Sequence, residues 1–341
     1  MSLTMEPLEN KFLAALEKDR VRFIKKWLVA WDYQETRKKR GVKYDESLPS
    51  DFFRYNGPED LVKWMNWFQS DYPNYLPSSL VDPLISKSRK NDEKILGSLG
   101  LKTDWSVYDK RVGLNNAHDF VFPQLYPAPD RYKIRNVIDF GAGYGRQANL
   151  WADHIEGMFV GVDAIPNSYC LQQVYYKALG LPFSDYMDSP DNFSIPKTGK
   201  GIFHIPTWRT DLLQENTFDL VMCVQVLPEL NSTLVAHMFD VFQRVLRPGG
   251  ILYIRDHTYT WKPAGKLDTE SVLADKGFSL EFKAHIINDN DLHGVPRIWR
   301  KNDPEVIRSV TMTAEAKKKQ LLEDADALSG GLLRKLKKKI S

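Results

Sequence analysis

An α/β protein, with a parallel sheet covered by helices on both faces, is the fold this sequence predicts, and three observations carry it. From residue 133 onward, short apolar runs alternate with helical patterns. The first run, Val137-Ile138-Asp139-Phe140, breaks into glycines at 141, 143 and 145, and a helical pattern reopens at Gln147. That sequence of events is a buried strand, a tight turn and the start of a helix. The last two runs, 278–286 and 295–301, are separated by a polar loop too short for a crossover helix, so they form a hairpin.

Ahead of the sheet, 1–110 reads as a mostly helical region. Leu8, Phe12, Leu16, Ile24, Leu28 and Trp31 recur at helical spacing up to about residue 40. Asn56-Gly57-Pro58-Glu59-Asp60 is a helix start, with proline at the first turn and acids behind it. Leu61, Met65 and Phe68 then share one face beside Trp64, Pro73, Pro77 and Pro83 mark a loop, and 92–99 forms a short helix. The region is either a cap on the sheet or a scaffold apart from it. A polar knot, Asn115-Asn116-Ala117-His118-Asp119, precedes the sheet as a loop, lying over a ligand or satisfied by its own turns.

Within 111–303 the expected order is strand 135–140, helix 147–154, strand 159–163 and helix 168–179. A short strand over 202–208 follows, then strand 218–224 and helix 232–246. Arg247-Pro248-Gly249-Gly250 makes a turn into strand 251–255, and the hairpin closes the sheet. The final 304–341 carries Lys317 to Lys319 and five cations within 334–339, with Leu328, Leu332, Leu333, Leu336 and Ile340 near helical spacing. Such a basic amphipathic segment either lies on an anionic membrane surface or is a solvated tail.

Composition narrows the class. Apolar residues make up 43% and charged ones 27%, an ordinary soluble balance, and a net charge of +3 gives no global pull toward nucleic acid. Cys170 and Cys223, two cysteines in apolar settings, point to a reduced, cytoplasmic protein. No apolar run approaches the roughly 18 residues of a membrane span.

Glycine at 141 and 143 lets the backbone turn sharply and lets a ligand approach where a Cβ would collide. A glycine loop alone is a weak signal, shared with dinucleotide folds. Here Asp139 stands two residues before the first glycine and the third comes early, as G-x-G-x-G. In this form the stretch resembles the first motif of the class I S-adenosylmethionine-dependent methyltransferases. Asp163 ending the second strand, Asp211-Leu212 before Phe218-Asp219-Leu220-Val221, and Pro248-Gly249-Gly250 before a central strand fall in the family's order. The likeness spans about 133–301. It implies a Rossmann-like seven-stranded sheet with an antiparallel terminal hairpin, and S-adenosyl-L-methionine as cofactor.

Carried over residue by residue, the resemblance assigns Gly141, Gly143 and Gly145 to the methionine and ribose part of the cofactor. Asp139 takes its ammonium, and Asp163 the ribose hydroxyls through two carboxylate oxygens. Asp211 accepts from the adenine amine and Leu212 packs on the ring. Gln225, just past a strand end, lines the floor beneath the sulfonium. Asp139 as a loop-ordering acid, Asp211 as a helix cap and Gln225 as a buried structural amide are the competing assignments.

For catalysis, Arg255-Asp256-His257 ends the fifth strand at the cleft mouth. His257 is the base that takes a proton from a hydroxyl acceptor, and Asp256 orients its ring or binds a metal. His204, His285 and His293 are weaker candidates, and Asp289, Asp291 and His293 a weak cation site.

The sequence thus leads to a methyltransferase acting on a small-molecule or glycan acceptor, at oxygen, similar to bacterial sugar O-methyltransferases. After the fourth strand the chain reads Gln225-Val226-Leu227-Pro228, without the Asn-Pro-Pro-Tyr-type motif of nucleic-acid methylation. An NAD(P)-dependent oxidoreductase and a non-catalytic cofactor-binding module are the alternatives.

Overall fold

The computed structural model describes residues 6–20, 55–67, 74–125, 133–154, 156–227, 230, 232–256, 268–284 and 294–303. Met1–Lys301 forms one compact unit and Asn302–Ser341 a second. His257, His285, His293, Asp289, Asp291, Phe68 and the basic tail with its membrane contact lie outside the described residues.

Eight strands form one sheet: β1 Val137–Phe140, β2 Met158–Asp163, β3 Phe183–Asp185, β4 Gly201–Pro206, β5 Phe218–Val224, β6 Leu246–Asp256, β7 Phe278–Lys283 and β8 Val295–Lys301. Their order is β3-β4-β2-β1-β5-β6-β8-β7. Pairing is parallel from β3 to β6 and antiparallel from β6 through β8 to β7, so the terminal hairpin forms as expected. One strand more than the seven anticipated comes from β3. It is three residues long with a polar Ser184 at its centre, so it carries no periodic signal.

The α-helices that cover the sheet, among the described residues, include α1 Glu6–Arg20, α2 Glu59–Trp67, α3 Ser78–Ser98, α4 Leu114–Leu125, α5 Ala148–Trp151, α6 Pro166–Ala178, α7 Ser232–Val245 and α8 Thr269–Asp275. Alternation along the strands splits the core in two. Ile138, Val160, Val221, Cys223, Leu252 and Ile254 pack with α1 and α7. Val137, Phe159, Leu220, Met222 and Tyr253 pack with α2 to α6.

Three sequence expectations fail for local reasons. Pro83 stands inside α3, a 21-residue helix, rather than in a loop. Asn115 to Asp119 are helical and buried in α4, not a surface turn: Asn116 and Asp119 bond to the buried Arg146, while Asn115 and His118 contact carbonyls one helical turn back, Arg111 O and Leu114 O. Arg247 to Gly250 lie within β6, where the pairing slips from Phe218–Leu246 to Leu220–Ile251. The segment is an irregularity in one long strand rather than a turn before it.

Candidate active site

β1 is the topological switch point. The chain leaves it toward β2 on one side, and β5 pairs on its other side. Ligands enter the crevice at the carboxyl ends there, and the sequence-predicted residues of β1, β2, β5 and β6 converge on that edge.

The glycine loop has three left-handed positions, with φ of 71° at Gly141, 59° at Gly143 and 92° at Gly145. A Cβ at Gly141 would stand 2.2 Å from Val226 Cγ2, and one at Gly145 2.7 Å from Tyr176 Cε1. These two glycines are thus demanded by the protein's own packing. Gly143 has nothing within 4 Å of its Cβ position. It is the point where a ligand can reach the backbone.

Beneath the loop, Asp139 is buried and its Oδ2 has no partner. Burial pushes its carboxyl up to about 8, with Arg146 pulling the other way. A buried acceptor of this kind lacks a cation, and the ammonium of an amino-acid ligand is the group that fits. Gln225 follows β5 with φ of 58°, a strained setting for a non-glycine residue, and its N–H donates to Arg255 O at 2.9 Å.

Asp163 is engaged by the chain itself. Oδ1 accepts from Ala164 N at 2.7 Å and Ile165 N at 3.0 Å, and Oδ2 from Gly143 N at 3.1 Å and Gln172 Nε2 at 2.9 Å. These donors offset the burial that raises its carboxyl to about 6. A ribose hydroxyl reaching Asp163 must share or displace one of them. Asp211 stands apart, half-exposed in the helical turn Thr207–Leu212, with both oxygens on Arg209 at 3.0 and 3.1 Å. Leu212 is half-buried and packs on the core. Nearer the strand ends, Asn167 and Thr207 bury polar atoms without partners. Sequence inspection missed both, because only burial distinguishes them from ordinary loop residues.

At the end of β6, Asp256 is buried. Its Oδ1 accepts from Val226 N at 3.1 Å, and its Oδ2 has no partner. Burial raises this carboxyl to about 7, against the pull of Arg297. Arg297 pairs with Ile254 across the β6–β8 ladder and so shares the face of Asp256, two residues on. Its Nε is also buried without a partner. Asp139 on β1 and Asp256 on β6 lie on the two strands that flank β5, and both push up its buried Cys223 thiol, behind burial itself.

A third carboxylate, Asp119 of α4, anchors the site from the helical side. It accepts from Arg146 Nη2 at 2.6 Å, Gln147 Nε2 at 2.9 Å, Tyr253 Oη at 2.7 Å, and Arg255 Nε and Nη2 at 2.8 Å each. Burial would raise it, but Arg255 and Arg146 outweigh that and hold it well below the usual range. His204 faces none of this. It is fully buried between Asp185 and Gln172, so it is no candidate base.

Residues 138–254 match the family model described as a methyltransferase domain, a segment holding the glycine loop, Asp163 and Gln225. No curated protein matches the chain. Among solved structures, the magnesium protoporphyrin IX methyltransferase of Synechocystis PCC 6803 with bound SAM is 14% identical, over 67% of this chain and 100% of that one, at a TM-score of 0.42. The 1,6-didemethyltoxoflavin-N1-methyltransferase of Burkholderia thailandensis is 15% identical, over 69% and 94%, at 0.37. A SAM-dependent methyltransferase of Methanosarcina mazei is 16% identical, over 53% and 98%, at 0.37. Superpositions this loose say nothing about substrate. The domain match supports a class I S-adenosylmethionine-dependent methyltransferase with S-adenosylmethionine as cofactor, and it does not favour the oxidoreductase.

Proposed function

We propose that the protein transfers a methyl group from S-adenosylmethionine to a hydroxyl of a small-molecule or glycan acceptor in the cytoplasm, with no nucleic acid involved. The observation that carries this proposal is the pair of unpartnered buried groups at the acceptor edge, Asp256 Oδ2 and Arg297 Nε. A hydroxyl can donate to a carboxylate, accept from a guanidinium and keep a second lone pair for attack, whereas a neutral amine has one lone pair and needs it for the transfer.

Bound S-adenosylmethionine supplies an activated methyl on a good leaving group. The protein's work is then alignment, which can contribute about 7–11 kcal/mol, and removal of the acceptor proton. Asp139 holds the donor's ammonium, Gly141 to Gly145 its methionine and ribose part, and Asp163 the ribose edge. Asp211 accepts from the adenine amine by sharing an oxygen with Arg209, Leu212 packs on the ring, and Gln225 lies under the sulfonium. Asp256 receives the proton, alone or through His257.

The test is a screen of sugars, phenols and amines for uptake of isotopically labelled methyl. Labelled ethers are expected. Uptake confined to amines would overturn the oxygen assignment, and donor binding without transfer to any acceptor would favour a cofactor-binding module.

A further inference from the structure

Behind Asp163 a chain of buried hydrogen bonds continues away from the site just described. Gln172 of α6 donates Nε2 both to Gly143 O at 2.8 Å and to Asp163 Oδ2 at 2.9 Å. With its nitrogen so committed, its Oε1 is fixed facing His204 Nε2, 2.9 Å away. An amide oxygen only accepts, so His204 Nε2 carries a proton. The other ring nitrogen, Nδ1, lies 2.8 Å from Asp185 Oδ2. The ring is thus held from both sides, by the amide at Nε2 and by Asp185 at Nδ1.

Asp185 is itself pinned, its Oδ1 accepting from Met187 N at 2.7 Å and Tyr169 Oη at 3.1 Å. The Tyr169 ring stacks on His204 with centroids 3.7 Å apart. Gln172, His204 and Asp185 are all buried. One line of bonds thus runs from the short strand β3, through β4 and α6, to the backbone of the middle glycine.

We propose that Gln172 is a positioning residue for the methyl donor. Oriented by His204 and Asp185, it holds the Gly143 peptide and the Asp163 carboxylate in their ligand-ready arrangement. This inference rests on the donor site proposed above. The physical reason lies in the amide's asymmetry. If Gln172 turned over, its oxygen would face both Gly143 O and Asp163 Oδ2, two acceptors, and the loop would lose its support. His204 prevents the turn, because its N–H can be met only by the amide oxygen.

The experiment is calorimetric titration with S-adenosylmethionine, paired with kcat at saturating donor for the acceptor that the labelled-methyl screen identifies. Gln172→Met keeps the side chain's length and removes both donors. It is expected to raise the donor Kd about tenfold, the scale of one or two lost hydrogen bonds, with kcat within about twofold. His204→Leu should do the same. Asp185→Asn should instead keep wild-type affinity, since an asparagine amide can donate to Nδ1 and leave the Nε2 proton in place. A thermal melt of each variant separates this pattern from a damaged fold, which would lower kcat and Kd performance together.

Wild-type or tighter donor binding by Gln172→Met would overturn the proposal. It would mean that the amide competes with the ribose for Asp163 rather than serving it. Asp163→Asn separates the two levels. If it weakens donor binding while Gln172→Met does not, the relay alone is wrong. If neither matters, the donor site itself is misplaced.

Discussion

Asp256→Asn is expected to slow methyl transfer by about 10²–10⁴-fold while leaving donor affinity near the wild-type value. The substitution preserves the acceptor for Val226 N, 3.1 Å away, so the loop after β5 keeps its support. What it removes is the partnerless Oδ2, placed at the end of β6 to take a proton from a bound hydroxyl. Burial sets this carboxyl at about 7, close to the working range of a general base. Below that value the base is protonated and idle, so the rate should rise with pH to about 7 and level beyond it. The Asn variant should lose that limb. A variant within about threefold of wild type would remove Asp256 from the chemistry and leave the task to His257.

Asp119→Ala should cost about 3–5 kcal/mol of unfolding free energy, read from urea denaturation. The carboxylate lies fully buried between Arg146 and Arg255, and its loss would strand two buried guanidinium groups along with Tyr253 and Gln147. Breaking such a pair from the acidic side leaves uncompensated charge, which is why the cost far exceeds that of a surface ion pair. The pH dependence has a definite sign. The two arginines hold the Asp119 carboxyl below its unfolded value of about 3.9, so the stabilisation is complete above that pH and drains away as pH falls further. A loss below about 1 kcal/mol would mean that the cluster relaxes freely. Asp119→Asn, which keeps an acceptor oxygen, should fall between the two.

The sheet was legible wherever hydrophobic runs were long enough to show a period. β5 and β8 fall where the sequence puts them, and the hairpin follows from one short loop. The polar half was not legible. Asn116 and Asp119 look like turn residues in sequence, yet they lie inside α4 because Arg146 and Arg255, 30 and 136 residues away respectively, supply their partners. Periodicity reports which residues avoid water, whereas a buried polar network depends on who meets whom across the fold. For the same reason His204 looked like a site candidate, and Asn167 and Thr207 did not attract notice. The glycine loop was legible because its constraint is local: Gly141 is needed against Val226, and Gly143 leaves its flank open.

Calorimetry with S-adenosylmethionine at pH 7, repeated in two buffers of different ionisation heat, tests the central claim most directly. Asp139 is largely protonated there, its carboxyl lying at about 8, and an incoming ammonium stabilises the ionised form. Binding should therefore proceed with release of about one proton, a release that Asp139→Asn abolishes. No heat from the donor at saturating concentration, with tight binding of a pyridine nucleotide instead, would contradict it.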